Sequence, residues 1–404
     1  MAPILLTTPS PGGAGTATPT DDYLDQVEHA DQSLDNTDGR WVKLPEALFS
    51  SIMAVEPKLN PMYKTSKSLS DEWLRDALRM NDKMAGYWSR LDIAYMSAIC
   101  APNADLETLK LMNDWNGWVF TFDDPFDKGD FTNIEATDEV IDTLNMLDSV
   151  HPPVSPEDNP PRHTLQSCWM RFSQRASPAL QHRWKCQLTR YCKGVLKQVE
   201  IQPRSSRLTV KEYMDMRAGC VGVYPCIGLM DPGFKSRFHA GLWVLSLDQS
   251  HDKIIVNLVS NRLAEGINLE QALVDLTLQN DLLSYRKDLI QDEKINIIFI
   301  LKNQGYNDQQ AVDQIGEMLY DCYRRWHAAL AELPFRQEVI DRDVMKFVEG
   351  CRNIALGNLH WSFHTFRYLE QDGPEVKRTR MMKLPHVRGT QNGRELACPR
   401  KEEA

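Results

Sequence analysis

Residues 307–333 read NDQQAVDQIGEMLYDCYRRWHAALAEL. Asn307 stands at an N-cap position with Gln310 three residues on, the pattern of a reciprocal capping box. Ile315, Met318, Leu319, Cys322 and Trp326 fall on one stripe, with Asp, Gln, Glu and Arg on the other face, so the segment is an amphipathic α-helix. The same rhythm, separated by short Pro, Gly or Asn punctuation, predicts helices around 70–86, 88–100, 105–122, 136–148, 163–174, 178–200, 209–229, 251–263, 269–290, 293–304 and 343–369. Strand-like alternation is scarce, and neither G-x-G-x-x-G nor G-x-x-x-x-G-K-[ST] occurs. The fold class is therefore all-α, in a single large domain over residues 41–370.

The flanks differ from this domain. Residues 1–40 are rich in Thr, Pro, Gly, Ala and Asp and lack the apolar periodicity needed to offset ordering entropy, so a disordered leader is expected there. Residues 371–404 are polar, carry Lys377, Arg378, Arg380, Lys383 and Arg388, and are expected to fray as a basic C-terminal tail. Residues 151–162, with Pro152, Pro153, Pro156, Pro160 and Pro161, are expected to form a loop that no helix crosses.

The 404-residue chain is 42% hydrophobic and 25% charged, ample for a large core. Lys plus Arg number 46 against 56 Asp plus Glu, and a net charge of −10 argues against a nucleic-acid partner. No apolar run approaches the roughly 18 residues of a membrane span, and the N-terminal residues lack the basic flank of a signal peptide, so a cytoplasmic location is expected. Nine Cys are scattered without a C-x-x-C pair and ten His show no H-E-x-x-H, which fits reduced thiols and disfavours zinc. A metal in this chain would be bound by oxygen.

Oxygen ligands do occur at helical spacing. In Phe122-Asp123-Asp124-Pro125-Phe126-Asp127, which follows the stretch containing Trp115 and Trp118, Asp123 and Asp127 share a helix face and suit hard divalent cations such as Mg²⁺. Downstream, Asn280, Ser284 and Asp288 recur every fourth residue in NDLLSYRKD, a ladder of amide, hydroxyl and carboxylate oxygens on a helix whose flanking leucines suggest burial. Two further pieces carry donors for an anion. Arg217 precedes a helix break signalled by Gly219, Gly222 and Pro225, and Arg367-Tyr368 ends the aromatic run Trp361-Ser362-Phe363-His364-Thr365-Phe366.

In order and spacing these pieces together resemble the class I terpene synthases, specifically the fungal sesquiterpene cyclases, over roughly residues 42–385. Asp123, Asp124 and Asp127 match the family's aspartate-rich motif, and Asn280, Asp281, Ser284 and Asp288 its N-D-x-x-S-x-x-x-E/D motif. Arg217 matches the diphosphate-sensing arginine, Lys287 the lysine beside the second metal motif, and Arg367 with Tyr368 the terminal pair. The wording around these motifs is most similar to the presilphiperfolan-8β-ol synthase branch. Three positions depart from the family pattern: Asp288 replaces the commoner Glu, Ala218 stands where a second Arg is frequent, and Cys220 where Thr or Asp is usual. Residues 231–262 match poorly.

The resemblance implies a class I helical bundle around a central cavity and a Mg²⁺-dependent lyase, the ions numbering roughly three. Metal ligands would be Asp123, Asp124, Asp127, Asn280, Ser284 and Asp288, and Arg217, Lys287, Arg367 and Tyr368 would hold the diphosphate of a farnesyl substrate. Asp123, Arg217, Lys287, Arg367 and Tyr368 are the catalytic candidates, and Trp118, Phe122, Trp361 and Phe366 the expected cavity aromatics. The product would be a sesquiterpene hydrocarbon or alcohol, made by a monomer or homodimer. The rivals are a chain-elongating prenyl diphosphate synthase of the same fold and a catalytically impaired helical scaffold.

Overall fold

The computed structural model describes residues 40–148, 150–229, 278–333 and 338–385. The expected leader up to residue 39, the helix at 251–263, the first part of that at 269–290, the divergent 231–262 stretch and the tail beyond 385 lie outside the described residues.

Helices dominate. The first group comprises α1 (Tyr63–Ala77), α2 (Asp82–Leu91), α3 (Ile93–Cys100), α4 (Leu106–Lys128) and α5 (Asn133–Asn145). It is followed by α6 (Pro160–Ser173), α7 (Pro178–Ile201), α8 (Val210–Cys220) and α9 (Val223–Leu229). After the gap come α10 (Leu278–Ile290), α11 (Ile297–Asn303), α12 (Asp308–Ala331), α13 (Glu338–His364), α14 (Phe366–Leu369) and α15 (Gly373–Thr379). α12 has the predicted capping box, with Asn307 and Gln310 satisfying each other's backbone amides, and Ile315, Leu319, Cys322 and Trp326 are buried. α13 packs along α3, α7 along α8, and α1 and α6 along α4.

Several boundaries move for identifiable reasons. The helix expected over 70–86 is two, because Arg79 takes a left-handed turn (φ 52°) and Asn81 caps α2 by accepting from the Met84 amide. The proline loop stops at Asn159, whose side chain caps α6, and Pro160 and Pro161 occupy the first helical positions, where a missing N–H costs nothing. The final helix breaks at Thr365, whose hydroxyl accepts from the Arg367 amide and starts α14.

The expected fraying of the tail from residue 371 is corrected over its first part. Residues 373–379 form α15, and Met381–Leu384 form a strand, β2, antiparallel to β1 (Arg40–Lys43) with Val42 opposite Met382. Val376, Met382 and Leu384 are buried, so the segment carries apolar anchors that its charge conceals. Its cations serve packing: Arg380 lies 3.9 Å from the Phe49 ring centroid and Lys377 Nζ donates to His360 Nδ1 at 3.1 Å.

Candidate active site

α4 is locked in rotation by its buried first half. The carboxylate of Asp114, fully buried, accepts from Ser70 and from Lys110 Nζ and Arg171 Nη1, both at 2.6 Å, while Gly117 gives Leu74 room that a Cβ would fill at 2.7 Å. This rotation turns Asn116, Val119, Phe120, Asp123, Asp124 and Asp127 into one cavity. Across it, α10 presents Asn280, Ser284, Lys287 and Asp288, and α8 and α14 add Arg217, Arg367 and Tyr368. The structure thus brings together every polar residue that the sequence singled out. Tight contact of α7 with α8 sets the position of Arg217, since a Cβ on Gly194 would meet the Gly219 carbonyl carbon at 2.1 Å. α8 then breaks at Val221, extended at φ −85° and ψ 130°, and Val221, Gly222 and Val223 line the cavity ahead of Pro225.

The carboxylates are held in distinct ways. Asp123 Oδ1 accepts from the Tyr191 hydroxyl at 2.8 Å and Asp127 Oδ1 from Gln198 Nε2 at 2.6 Å. Asp124 receives both guanidinium nitrogens of Arg367, at 2.6 and 3.4 Å. On the other wall Arg217 Nη2 donates to Asp281 Oδ1 at 3.1 Å and Asn280 Oδ1 at 3.3 Å, and the Tyr213 hydroxyl donates to Asp281 Oδ2. Asn280 Nδ2 donates to the Tyr368 oxygen at 3.0 Å. Lys287 Nζ lies 3.1 Å from Asp288 Oδ1 and donates to Glu293 Oε1 at 2.7 Å.

Burial, then the neighbouring charge of Asp127, pushes the Asp123 carboxyl well up from its usual range. Burial, then Glu293, pushes Asp127 up to about 6, and burial reinforced by Asp288 carries Glu293 to about 7 against the pull of Lys287. Burial acts on Asp124 too, but Arg367 and Lys287 outweigh it and hold this carboxyl low. Lys287 is itself held up by Glu293 and Asp288 despite its burial.

This donor set fits a hard divalent cation. The oxygens are carboxylate, amide and hydroxyl, two of the carboxyls are short of positive charge, and Asp288 Oδ1 is buried without a hydrogen bond. Among the described residues no three His, Cys, Asp or Glu side chains group closely enough to hold an ion alone. Mg²⁺ is satisfied by one or two carboxylates with water and phosphate oxygens completing its shell, so two facing walls suit it better than a closed cage.

The aromatic expectations need correction. Trp361 lines the cavity, but Trp118, Phe122 and Phe366 are absent from its lining. Trp118 and Phe122 stack at 4.9 Å on the next face of α4 and pack toward Tyr191, while Phe366 lies under the Arg90 guanidinium at 5.4 Å. Trp115 and Phe120 take their places. The aspartates carried the missing signal: three residues back from Asp123, and four back from Asp124, stands Phe120, and seven back from Asp123 stands Asn116, whereas Phe122 is on another face. Glu293, Gln198 and Asn358 also line the cavity, and nothing in their spacing relative to the motifs marked them.

Residues 114–325 match the family model described as terpene synthase family 2, C-terminal metal binding. Terpene cyclase 4 of Gibberella fujikuroi (strain CBS 195.34 / IMI 58289 / NRRL A-6831) is 63% identical over 402 residues, 95% of this chain and 100% of that protein. The (+)-eremophilene synthase of the same organism is 35% identical, covering 85% of this chain and 92% of its own. Among solved structures, a-eudesmol synthase superposes with a TM-score of 0.60 at 17% identity, over 76% of this chain and 96% of that one, which concerns the fold alone. The chain belongs to the terpene synthase family, alongside its fungal cyclases, and is a class I terpene synthase, a lyase with the all-helical fold of that class.

Proposed function

We propose that the protein is a Mg²⁺-dependent sesquiterpene cyclase that ionises farnesyl diphosphate and closes the resulting allylic cation to a hydrocarbon or alcohol, releasing diphosphate. The observation that carries this reading is the convergence of Asp123, Asp124, Asp127, Asn280, Ser284 and Asp288 with Arg217, Lys287, Arg367 and Tyr368 in the lining of one cavity to which Met96, Trp115, Val119, Phe120, Val223, Ile354 and Trp361 add apolar surface. Bound Mg²⁺ would supply Lewis acidity to the departing diphosphate oxygens.

The chain's own part follows from its geometry. Arg217 and Arg367 are preset on Asp281 and Asp124, so their donors await an anion without side-chain ordering. Lys287 adds a fixed positive charge, and Tyr368 a hydroxyl already oriented by Asn280. Below them Met96, Val119, Phe120, Val223, Ile354 and Trp361 offer no nucleophile and keep bulk water from a carbocation. The faces of Phe120, Trp115 and Trp361 would stabilise migrating positive charge by about 0.5–2 kcal/mol each.

The motif wording supports the presilphiperfolan-8β-ol synthase branch as the working assignment. A cytoplasmic site of action is proposed as well, on the grounds that the eight described cysteines are free and no described helix is long and apolar enough to cross a membrane. The test is turnover of geranyl, farnesyl and geranylgeranyl diphosphates with and without Mg²⁺, with analysis of volatiles. Metal-dependent cyclic products from the farnesyl substrate are expected. Linear chain-elongated diphosphates, or metal-independent release, would overturn the proposal.

A further inference from the structure

Glu293 belongs to neither motif, yet it lines the cavity with the residues of both. The reason is a turn. After α10 ends, Asp292 adopts a left-handed conformation (φ 52°), and the Glu293 amide donates back to the Asp288 carbonyl at 3.0 Å. Residue 293 is thereby folded onto the wall that the chain has just left, while the side chain of Asp292 stays 88% exposed. The Glu293 side chain is 11% exposed, contacts Lys287 Nζ at 2.7 Å, and lines the same cavity as Asp127 and Asp288.

Asp288 is differently placed. Its Oδ2 accepts from Ser284 Oγ and Asn296 Nδ2, both at 2.7 Å, which fills that oxygen, and only Oδ1 is left, beside Lys287. Its short side chain is committed to fastening α10 to the turn ahead of α11. Glu293 has one methylene more and lines the cavity together with acids of both walls.

We infer that Glu293 is an additional metal-binding carboxylate of this cavity, supplying from the turn after α10 a second acid beside Asp288, one of whose oxygens is already filled. The role rests on the metal dependence proposed above. If Glu293 instead merely positioned Lys287, its loss would weaken anion binding and leave metal affinity intact.

Mn²⁺ titrated into the full chain, with and without inorganic pyrophosphate and followed by the signal of free Mn²⁺, separates these roles. Glu293→Gln, which keeps an oxygen facing Lys287, is expected to lower Mn²⁺ affinity by about tenfold or more. Glu293→Asp, which keeps the charge and shortens the reach, should fall between this variant and the wild type. Adding Asp288→Glu to Glu293→Gln should recover most of the loss. Unchanged Mn²⁺ affinity in both single variants, or a Glu293→Gln loss confined to pyrophosphate at saturating Mn²⁺, overturns the inference. A wild-type chain that takes up no Mn²⁺ under either condition overturns the metal proposal itself, a failure visible before any variant is made.

Discussion

The α4 wall and the α10 wall both carry acids into one cavity, but they compensate them by different means. On α10, Asp281 faces Arg217, and Asp288 shares Lys287 with Glu293, so the wall and its immediate support bring cations to these acids. On α4, Asp123 and Asp127 rest on the neutral donors Tyr191 and Gln198, and of the three motif aspartates Asp124 alone has an ion pair among the described residues, brought by Arg367 from α14. The difference teaches that one wall carries cations of its own, whereas the other leaves more of its acid charge to an incoming cation.

The hardest blow to both walls is the loss of an oxygen at their centre. Asp123→Ala and Asn280→Ala are each expected to lower diphosphate release by about 10²–10³-fold, and Arg367→Ala comparably, since each removes charge stabilisation at the leaving group. Wild-type rates in all three would mean that neither wall takes part. Next in size is a contrast within α4. Trp118→Ala should cost about 3–5 kcal/mol of stability through its cavity in the core, whereas Phe120→Leu should leave the melting temperature nearly unchanged and redistribute products. Equal product profiles from the two variants would show that the cavity face is misassigned.

The compensation difference has its own sign test in the metal-free protein. Asp281→Asn leaves Arg217 buried beside a neutral group and should destabilise by about 3 kcal/mol. Asp127→Asn relieves repulsion from Glu293 and the cost of burying a charge, and should stabilise by about 1 kcal/mol. Urea midpoints moving in the same direction would remove the distinction between the walls.

The expected effect that vanishes at neutral pH lies outside the cavity, on His360. Burial, then Lys377, lowers its imidazole to about 4 from 6.5. The native ring is therefore neutral while the unfolded one binds a proton below pH 6.5, so stability falls as pH drops through the window from 6.5 toward 4. In His360→Gln this slope should flatten in pH-dependent melting, with no change above pH 7; an unaltered slope would place the acid sensitivity elsewhere, the cavity included.

Much of the site was legible because a helix repeats. Four-residue spacing put Asp123 with Asp127, and Asn280 with Ser284 and Asp288, and the structure keeps each set on one face. The same periodicity cannot say which of two adjacent apolar faces turns inward, and so Trp118 and Phe122 stood in for Trp115 and Phe120. Their true direction depends on Asp114, gripped by Ser70 on α1 and Arg171 on α6, partners 44 and 57 residues away. Glu293 was hidden for another reason: its direction follows from one positive φ at Asp292, a residue with no glycine to advertise the turn. The ordered end of the chain escaped notice because Val376, Met382 and Leu384 are sparse among charges, and their burial needs the remote strand at Arg40–Lys43.

By itself the sequence determined the all-helical class, the oxygen character of the two motifs and the local grouping of their side chains, since these depend on interactions within a few turns of chain. Which walls face one another, how each acid is compensated, and which rings surround the cavity were decided only in the tertiary structure. Those outcomes arise from packing, burial and charge between helices far apart in the chain, where no local spacing carries the information.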